Sequence, residues 1–265
     1  MRKKIKTVRA KKKLGQHFLK DINIAKLISD TLTFENYDKV IEIGPGMGIL
    51  TQFLISKTDD LNLIEIDKEA VKYLVERYPN LKSKIIEGDF LKFDLNKVFG
   101  NKKFAIIGNF PYNISTQIIF KTLKHRNQIP FFSGMFQKEV AERICESPGS
   151  KKYGIISVLT QLFYKTDLLF DVSPKVFNPV PKVYSAVIQL VRKDCTTLEC
   201  NEQLLFRIVK LSFQQRRKTL RNSLKNLNIS EKLREDSIFD KRPEMLSGFD
   251  FVQIAKRIDN GNISN

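Results

Sequence analysis

Four short apolar runs, each followed by a glycine or a polar side chain, most constrain how this chain can fold. Gly44, Glu65, Asp89 and Asn109 stand at the ends of these runs, a little over 20 residues apart on average. That is roughly the rhythm of strand–helix units in a doubly wound α/β sheet. Ligands bind at the carboxyl ends of the strands in such sheets. The four residues are therefore predicted to meet at one crevice.

The remaining pattern predicts further strands and a change of architecture near the C-terminus. Predicted strands cover 39–43, 61–66, 84–87, 104–108, 131–136, 168–172 and 185–191. The last two are expected to pair in antiparallel fashion at the sheet edge. Predicted helices cover residues 21–32, begin after a cap at Asp67, and begin after a cap at Ser115. The resulting division is a basic tail over 1–13, a sheet domain over 14–196 and a helical domain over 197–265.

The net charge of +17 is concentrated in two short segments. Residues 1–13 contain eight Lys and Arg, residues 207–225 contain seven, and neither segment contains an acid. Such segments favour a phosphate backbone as partner, although an acidic membrane surface could attract them too. A solvated helix face and a disordered tail are the simpler alternative. Arg217, Arg221 and Lys225 recur every four residues and are predicted to form one helical stripe.

Composition argues against several other classes of protein. No apolar run reaches the roughly 18 residues of a membrane span, and no apolar stretch follows the basic N-terminus as in a secretory signal. Cys145, Cys195 and Cys200 form no CxxC pair, and the chain has only two histidines. Neither a zinc site nor a disulfide framework is expected. We expect a cytoplasmic, metal-free monomer.

The glycine loop at 42–48 differs from a dinucleotide-binding fingerprint. Its third glycine comes one residue early, and Pro45 removes a backbone donor. S-adenosylmethionine has no phosphate to hold, so this loop suits it better than a dinucleotide. Glu65 falls where an acid binds ribose hydroxyls in related sheets, and Asp89 could accept a hydrogen bond from an adenine amine. Alone, the loop could also be a tight strand–helix turn.

Asn109-Phe110-Pro111-Tyr112 suits methyl transfer to the exocyclic amine of a base. That amine is a poor nucleophile because its lone pair is delocalised into the ring. The Asn109 side-chain oxygen and the Pro111 carbonyl can accept its N–H groups, which favours a tetrahedral nitrogen. Tyr112 offers a face on which a flipped-out base can stack. This chemistry depends on positioning more than on a strong base.

Several motifs together resemble one family of enzymes, the bacterial small-subunit rRNA adenine dimethyltransferases, whose loss confers kasugamycin resistance. The similarity spans nearly the whole chain. The matching segments are 13–19, 42–48, 109–116, 137–140, 176–183 and 215–224.

The resemblance implies a Rossmann-like class I methyltransferase sheet with a small all-α C-terminal domain. It implies S-adenosylmethionine as cofactor, and N6 dimethylation of two adjacent adenosines in the 3′-terminal hairpin of 16S rRNA in the small ribosomal subunit. With Gly46 of the glycine loop, the expected cofactor-binding residues are His17, Leu19, Gly44, Gly46, Glu65, Asp89 and Asn109. Asn109, Pro111 and Tyr112 are expected to be catalytic. The expected RNA-binding residues are Arg216, Arg217, Lys218, Arg221 and Lys225.

The chain departs from the family pattern at two positions, His17 in place of the usual Asn and Phe110 in place of Leu. We expect a changed cofactor contact at the first and only altered packing at the second. Phe177 matches the position that stacks on the target base opposite Tyr112, although it could instead be a core aromatic.

Three alternative functions remain open at this point. One is a large-subunit rRNA methyltransferase of the macrolide-resistance type, against which segment 215–224 argues. A DNA adenine methyltransferase is weaker, because no target-recognition insertion is visible. The third is an assembly factor that kept the fold and lost the chemistry.

Overall fold

The computed structural model describes residues 8–194 and 197–263, the last three by their backbone only. The first seven residues of the predicted basic tail and Cys195 lie outside the described residues. The chain divides into two compact units. The first comprises the described residues up to Ala141 together with Lys165–Arg192, and the second comprises Glu142–Tyr164 together with the residues from Lys193 onward.

The first unit is built on a seven-stranded sheet whose strand order is β4-β3-β2-β5-β6-β9-β7. Strands β2 to β6 run parallel, and β9 is antiparallel to β6. A separate two-stranded antiparallel ribbon joins β1 and β8. The strands are β1 Phe18–Leu19, β2 Lys39–Ile43, β3 Leu61–Glu65, β4 Ile85–Glu87, β5 Phe104–Asn109, β6 Phe131–Gln137, β7 Tyr164–Val172, β8 Phe177–Asn178 and β9 Ser185–Arg192.

The strand order explains why polar residues gather at one edge. Strand β2 pairs with β3 on one side and with β5 on the other, so the direction of winding reverses between β2 and β5. Parallel strands of this kind are buried on both faces, and all five residues of β2 are buried. Gly44 and Asn109 stand at the carboxyl ends of β2 and β5, where an open α/β sheet leaves a crevice.

Eleven α-helices and several short 3₁₀ segments occur in the described ranges. The α-helices are α1 Ile22–Ser29, α2 Thr51–Leu54, α3 Lys68–Arg77, α4 Leu95–Phe99, α5 Ser115–Lys124, α6 Lys138–Cys145, α7 Ile155–Phe163, α8 Glu202–Gln214, α9 Leu220–Ser223, α10 Glu231–Arg234 and α11 Gly248–Ile263.

Helix starts agree with the sequence at one predicted cap and not at the other. The Asp67 carboxylate accepts the backbone N–H of Glu69 at 3.0 Å, as an N-cap does. The predicted cap at Ser115 is wrong, because Ser115 is already the first residue of α5 and Ile114 is the cap. The Ser115 hydroxyl donates instead to the Tyr112 carbonyl at 3.1 Å.

Two glycines allow β5 and β6 to pass close together beneath an aromatic ring. Gly108 lies opposite Gly134 in the parallel register. A Cβ on Gly134 would meet the Gly108 carbonyl oxygen at 2.4 Å and the Phe110 ring at 2.3 Å. Phe110 is buried and its ring centroid lies 5.0 Å from those of Phe132 and Phe136. The departure at Phe110 is therefore accommodated by packing.

The second unit is discontinuous in sequence, which the prediction of a single boundary near 197 did not anticipate. The sequence pattern places residues 142–164 in the sheet domain, whereas in the structure they group with the C-terminal helices. Helix α7 is apolar over most of its surface and packs against α8 and α11. Burying that apolar surface requires the later helices, so α7 groups with them.

Disulfides, metal-binding clusters and membrane-spanning helices do not occur among the described residues. Neither Cys145 nor Cys200 forms a disulfide there. Among the same residues no group of three or more His, Cys, Asp and Glu side chains could hold a metal ion. A helix long and apolar enough to cross a membrane is absent from the described part of the chain.

Candidate active site

An open cavity lies at the carboxyl ends of β2, β3 and β5, at the point where the sheet reverses. Open α/β sheets bind their ligands at such a point. The structure brings together there most of the predicted site residues: His17, Gly44, Gly46, Glu65, Asp89, Asn109, Pro111 and Tyr112. Leu19 does not line this cavity. It is buried in β1 and lines an adjoining cavity that shares Gly44, Gly46 and Asn109.

The glycine loop reaches the cavity with backbone rather than side chains. Gly44 and Gly46 have φ values of +68° and +57°, in the left-handed region that glycine adopts without strain. A Cβ on Gly46 would lie 2.9 Å from the Phe18 ring. A larger residue here would therefore be strained and would also push against β1.

Glu65 is buried at the end of β3 and ties the loop to the sheet. Its two carboxylate oxygens accept the backbone N–H groups of Gly46 at 3.0 Å and Asp67 at 2.8 Å. Burial raises the pKa of Glu65, and these two hydrogen bonds oppose that effect. A carboxylate has about four acceptor positions, so the oxygens keep capacity for a ligand's hydroxyl groups.

A second buried carboxyl group, Glu42, lies behind the same loop. It accepts the Thr51 hydroxyl at 2.6 Å, which joins β2 to the first turn of α2. Burial raises the pKa of Glu42 to about 8, the Thr51 hydrogen bond opposes the rise, and the nearby charge of Glu65 adds to it. Glu42 is therefore largely protonated at pH 7, and the loop does not carry two adjacent buried charges.

Asp89 caps a one-turn 3₁₀ helix at the rim of the cavity. Its Oδ1 accepts the Leu91 backbone N–H at 2.9 Å, and the residue is half-buried. Gly88 and Phe90 line the cavity on either side of it, although the sequence pattern did not single them out. This turn fixes the backbone of Asp89, and the hydrogen bond to Leu91 fixes the orientation of its carboxylate.

Asn109 is held in one orientation by the backbone of the N-terminal segment. Its Nδ2 donates to the His17 carbonyl oxygen at 3.0 Å. Only the amide nitrogen can donate to a carbonyl, so this contact assigns the side chain and leaves Oδ1 as an acceptor. The adjacent Pro111 carbonyl accepts the Ile114 N–H at 3.2 Å and retains a second lone pair.

Tyr112 is half-buried and is fixed at both its hydroxyl and one face of its ring. The hydroxyl shares a 2.6 Å hydrogen bond with Ser185. The ring stacks on the His17 imidazole, with centroids 5.3 Å apart and an interplanar angle of 27°. Nδ1 of that imidazole lies 2.8 Å from the Pro179 carbonyl. A base stacking on Tyr112 must therefore use the other face or displace His17.

Phe177, expected to stack on the target base, is fully buried in the structure. Phe177 has 0% exposure and belongs to the hydrophobic core of the first unit. It lies in β8 opposite Leu19 of β1, where it packs as a core aromatic. The neighbouring exposed apolar residues are Val180 and Val183, which line an open cavity together with Tyr112 and His17.

The N-terminal segment closes one wall of the site, which its basic composition did not suggest. Lys11 Nζ lies 2.5 Å from Asp67 Oδ1 and 3.0 Å from Glu69 Oε1. The Gln16 amide accepts the Lys11 backbone N–H at 2.8 Å and donates to Asp67 at 3.2 Å. Although burial raises the pKa of Asp67, the hydrogen bonds from Lys11, Glu69 and Gln16 outweigh it and lower that pKa. Lys11 is thus tied to the buried carboxylate of Asp67 and is not part of a free tail.

The basic C-terminal residues do not form the predicted helical stripe. Helix α8 ends at Gln214 and α9 begins at Leu220, so residues 215–219 are not helical. Arg216 pairs with Glu244 at 2.8 Å and also donates to the Ser150 carbonyl at 3.0 Å.

The other predicted RNA-binding residues divide between an internal ion pair and exposed positions. Arg221 pairs with Asp240 at 2.8 Å and donates to the Arg234 carbonyl. Arg217, Lys218 and Lys225 are exposed. Of the five predicted residues, these three present their charge mainly to solvent.

The chemistry of the cavity fits S-adenosylmethionine. Gly44 and Gly46 leave room that a Cβ would restrict, as close approach of a ligand to the loop requires. Glu65 and Asp89 offer carboxylate acceptors at successive strand ends, and Asn109 adds a fixed amide oxygen. No lysine or arginine is among the residues that line this cavity, so it offers little charge neutralisation to a phosphate group.

Comparisons with known proteins agree on one family. The model of the family described as ribosomal RNA adenine dimethylase matches residues 7–250. The ribosomal RNA small subunit methyltransferase A of Flavobacterium johnsoniae is 63% identical over 95% of this chain and 97% of its own. The protein of that name from Bacteroides thetaiotaomicron is 52% identical over 96% of both chains.

Solved structures show the same fold. A dimethyladenosine transferase from Plasmodium falciparum has a TM-score of 0.80 and 26% identity, covering 93% of this chain and 98% of that one. The 23S rRNA methyltransferase ErmE has a TM-score of 0.67 at 23% identity, covering 91% of this chain and 99% of that one. The first unit is therefore a class I methyltransferase fold, and the chain belongs to the ribosomal RNA adenine dimethylase family.

Proposed function

We propose that this protein dimethylates N6 of two adjacent adenosines in the 3′-terminal hairpin of 16S rRNA, with S-adenosylmethionine as methyl donor. The observation that carries the proposal is the fixed Asn109 amide at the strand reversal, beside an adenosine-compatible cavity. The names of relatives at 50–63% identity support the small subunit as substrate. The reaction would take place in the cytoplasm, during small-subunit assembly.

The residues of the cavity would divide the work of binding the cofactor. Glu65 would accept the ribose hydroxyls, since its oxygens retain unused lone pairs. Asp89 would accept from the adenine amine, and the backbone of Gly44 and Gly46 would lie against the methionine portion. When bound, the cofactor supplies an electrophilic methyl group on its sulfonium.

The loop at 109–112 would position the target amine. Asn109 Oδ1 and the Pro111 carbonyl accept its two N–H groups, which directs the nitrogen lone pair toward the methyl group. Tyr112 holds the flipped base by stacking, and its own ring is fixed through Ser185. Proton loss follows nitrogen attack, so no strong base is needed beforehand.

The direct test is methyl transfer to small ribosomal subunits from a strain that lacks this modification. Labelled S-adenosylmethionine, nuclease digestion and mass spectrometry would identify the product nucleoside. We expect N6,N6-dimethyladenosine in the 3′-terminal hairpin. Label confined to large-subunit rRNA would favour the macrolide-resistance type of enzyme. No label despite measurable subunit binding would favour a non-catalytic assembly factor.

A second prediction concerns the exposed basic residues of the second unit. Replacing Arg217, Lys218 and Lys225 with glutamine should weaken binding to the small subunit, because exposed cations release counterions from phosphates. The plot of log affinity against log salt has a negative slope, and its magnitude should decrease by about 1 for each phosphate that is no longer neutralised. Binding of S-adenosylmethionine should be unchanged. Lys151→Gln, an exposed lysine in a turn of the second unit and outside the basic segment 207–225, is the single-site control for loss of one general surface charge.

Filter binding across a salt series checks this prediction. A triple variant with an unchanged salt slope would contradict a phosphate-contacting role for these residues. Arg216 and Arg221 are left out of the variant because their loss would break ion pairs inside the second unit. Neutralising those two would therefore confuse a folding effect with a binding effect.

A further inference from the structure

Lys121 is a half-buried lysine on α5 whose ammonium group faces backbone rather than solvent. It donates to the carbonyl oxygens of Phe90 at 2.7 Å and Leu91 at 3.1 Å, and also to that of Phe93. An ammonium group has three N–H bonds, so all of its donors are used on one short segment. Hydrogen bonds from a charged donor are stronger than neutral ones.

These three carbonyls belong to the turn that carries Asp89. Asp89 caps the first end of the 3₁₀ helix Phe90–Lys92, and Lys121 holds the carbonyl end of the same helix. A cation at the carbonyl end of a helix is electrostatically favourable. The ammonium nitrogen also lies 5.1 Å from the centroid of the Phe90 ring, within cation–π range.

The same turn forms one wall of the candidate cofactor pocket. Gly88, Asp89 and Phe90 all line it, and Phe90 is buried. Burial lowers the pKa of Lys121, while the charge of Asp89 opposes that effect. Lys121 is therefore coupled to the pocket through the backbone that it holds.

We propose that Lys121 is a positioning residue of the cofactor pocket, which fixes Asp89 and Phe90 where the adenine ring is recognised. The inference rests on the proposed use of S-adenosylmethionine and adds a specific determinant of adenine recognition. Lys121 touches neither the cofactor nor the target base in this role. Its effect passes through the turn at 89–93.

The test compares Lys121→Met with Lys124→Met. Lys124 lies on the same helix and is exposed, so it is a matched control for loss of one charge. Calorimetry with S-adenosylhomocysteine should give a dissociation constant about tenfold higher for Lys121→Met, since charge-assisted hydrogen bonds that hold the turn are lost. The control should stay within about twofold. At saturating cofactor, kcat should stay near the wild-type value while KM for the cofactor rises.

A second ligand separates a positioning role from general loosening of the fold. S-inosylhomocysteine has a carbonyl oxygen in place of the adenine amine, so the hydrogen bond from that amine to Asp89 is lost. The wild type should prefer S-adenosylhomocysteine, and Lys121→Met should lose most of that preference. Equal weakening of both ligands would overturn the proposal, as would an unchanged dissociation constant.

Two further measurements keep the outcome interpretable. If Lys121→Met does not fold, Lys121→Gln retains a donor and should show a smaller loss of the same preference. Failure of the wild type to bind S-adenosylhomocysteine would refute the proposed function itself. Binding by the wild type with no change in the Lys121 variants would refute only the positioning role.

Discussion

Asn109→Ala should lower kcat for methyl transfer to the small subunit by about 10²–10³-fold, the usual cost of removing one fixed hydrogen-bond partner of a reacting group. The substitution deletes the Oδ1 acceptor that we assign to the target amine. Binding of S-adenosylmethionine should weaken less than tenfold, because Asn109 is only one of several residues lining the pocket. Single-turnover kinetics at saturating cofactor measure the effect.

Asn109→Asp is the sharper variant, because it keeps both shape and acceptor. It replaces the Nδ2 donor with an oxygen 3.0 Å from the His17 carbonyl, where two acceptors repel each other. We expect it to be no more active than Asn109→Ala. Asn101→Ala, in an exposed turn, should retain full activity. An aspartate variant with more than about a tenth of wild-type kcat would show that the contact with His17 is dispensable.

Gly134→Ala should have the largest effect on folding stability. The new methyl group would meet the Gly108 carbonyl oxygen at 2.4 Å, a backbone atom that cannot rotate away. Overpacking of a core usually costs about 1–3 kcal/mol, and we expect at least the upper end of that range. Because β5 carries Asn109 at its end, the strain should also weaken cofactor binding. Urea unfolding and calorimetry measure the two effects.

A double variant tests how much of this cost comes from the aromatic ring. The same methyl group would meet Phe110 at 2.3 Å, so Phe110→Leu should recover part of the lost stability of Gly134→Ala. The backbone clash with Gly108 would remain, and recovery should be incomplete. Gly154→Ala is the control, since nothing lies within 4 Å of its added Cβ. If Gly134→Ala were as stable as Gly154→Ala, the close approach of β5 and β6 would not be a constraint.

The sheet and the cofactor pocket were largely predictable because their signals are local. Predicted strands of four to six residues, each with a glycine or carboxylate at or just after its end, place Gly44, Glu65 and Asp89 at strand ends without any long-range information. Their convergence then follows from the parallel topology alone. The α/β class I fold is confirmed by the strand order and by the solved relatives.

The features that were missed depend on partners far away in the sequence. Lys11 looked like part of a basic tail because its partner Asp67 is 56 residues away. No glycine or proline lies between Arg217 and Lys225 to indicate a break in a helix. The chain nevertheless leaves helical geometry at Gln215 and is extended at Thr219.

Burial likewise cannot be read from a motif. Phe177 occupies the position that the family pattern assigns to base stacking, yet the β1–β8 ribbon places it in the core. Their charge and the family pattern predict an RNA-binding role for Arg216 and Arg221, whereas each has an acidic partner within the second unit.

The discontinuity of the second unit has a consequence for how the protein is made. Helix α7 is synthesised between the strands of the first unit, but its partner α11 begins only about 85 residues later. At ~5–20 residues per second, that delay is several seconds. Throughout this interval the apolar surface of Ile156, Leu159 and Phe163 has no completed core to enter. The nascent chain therefore leaves this apolar surface without one of its packing partners until α11 has been synthesised.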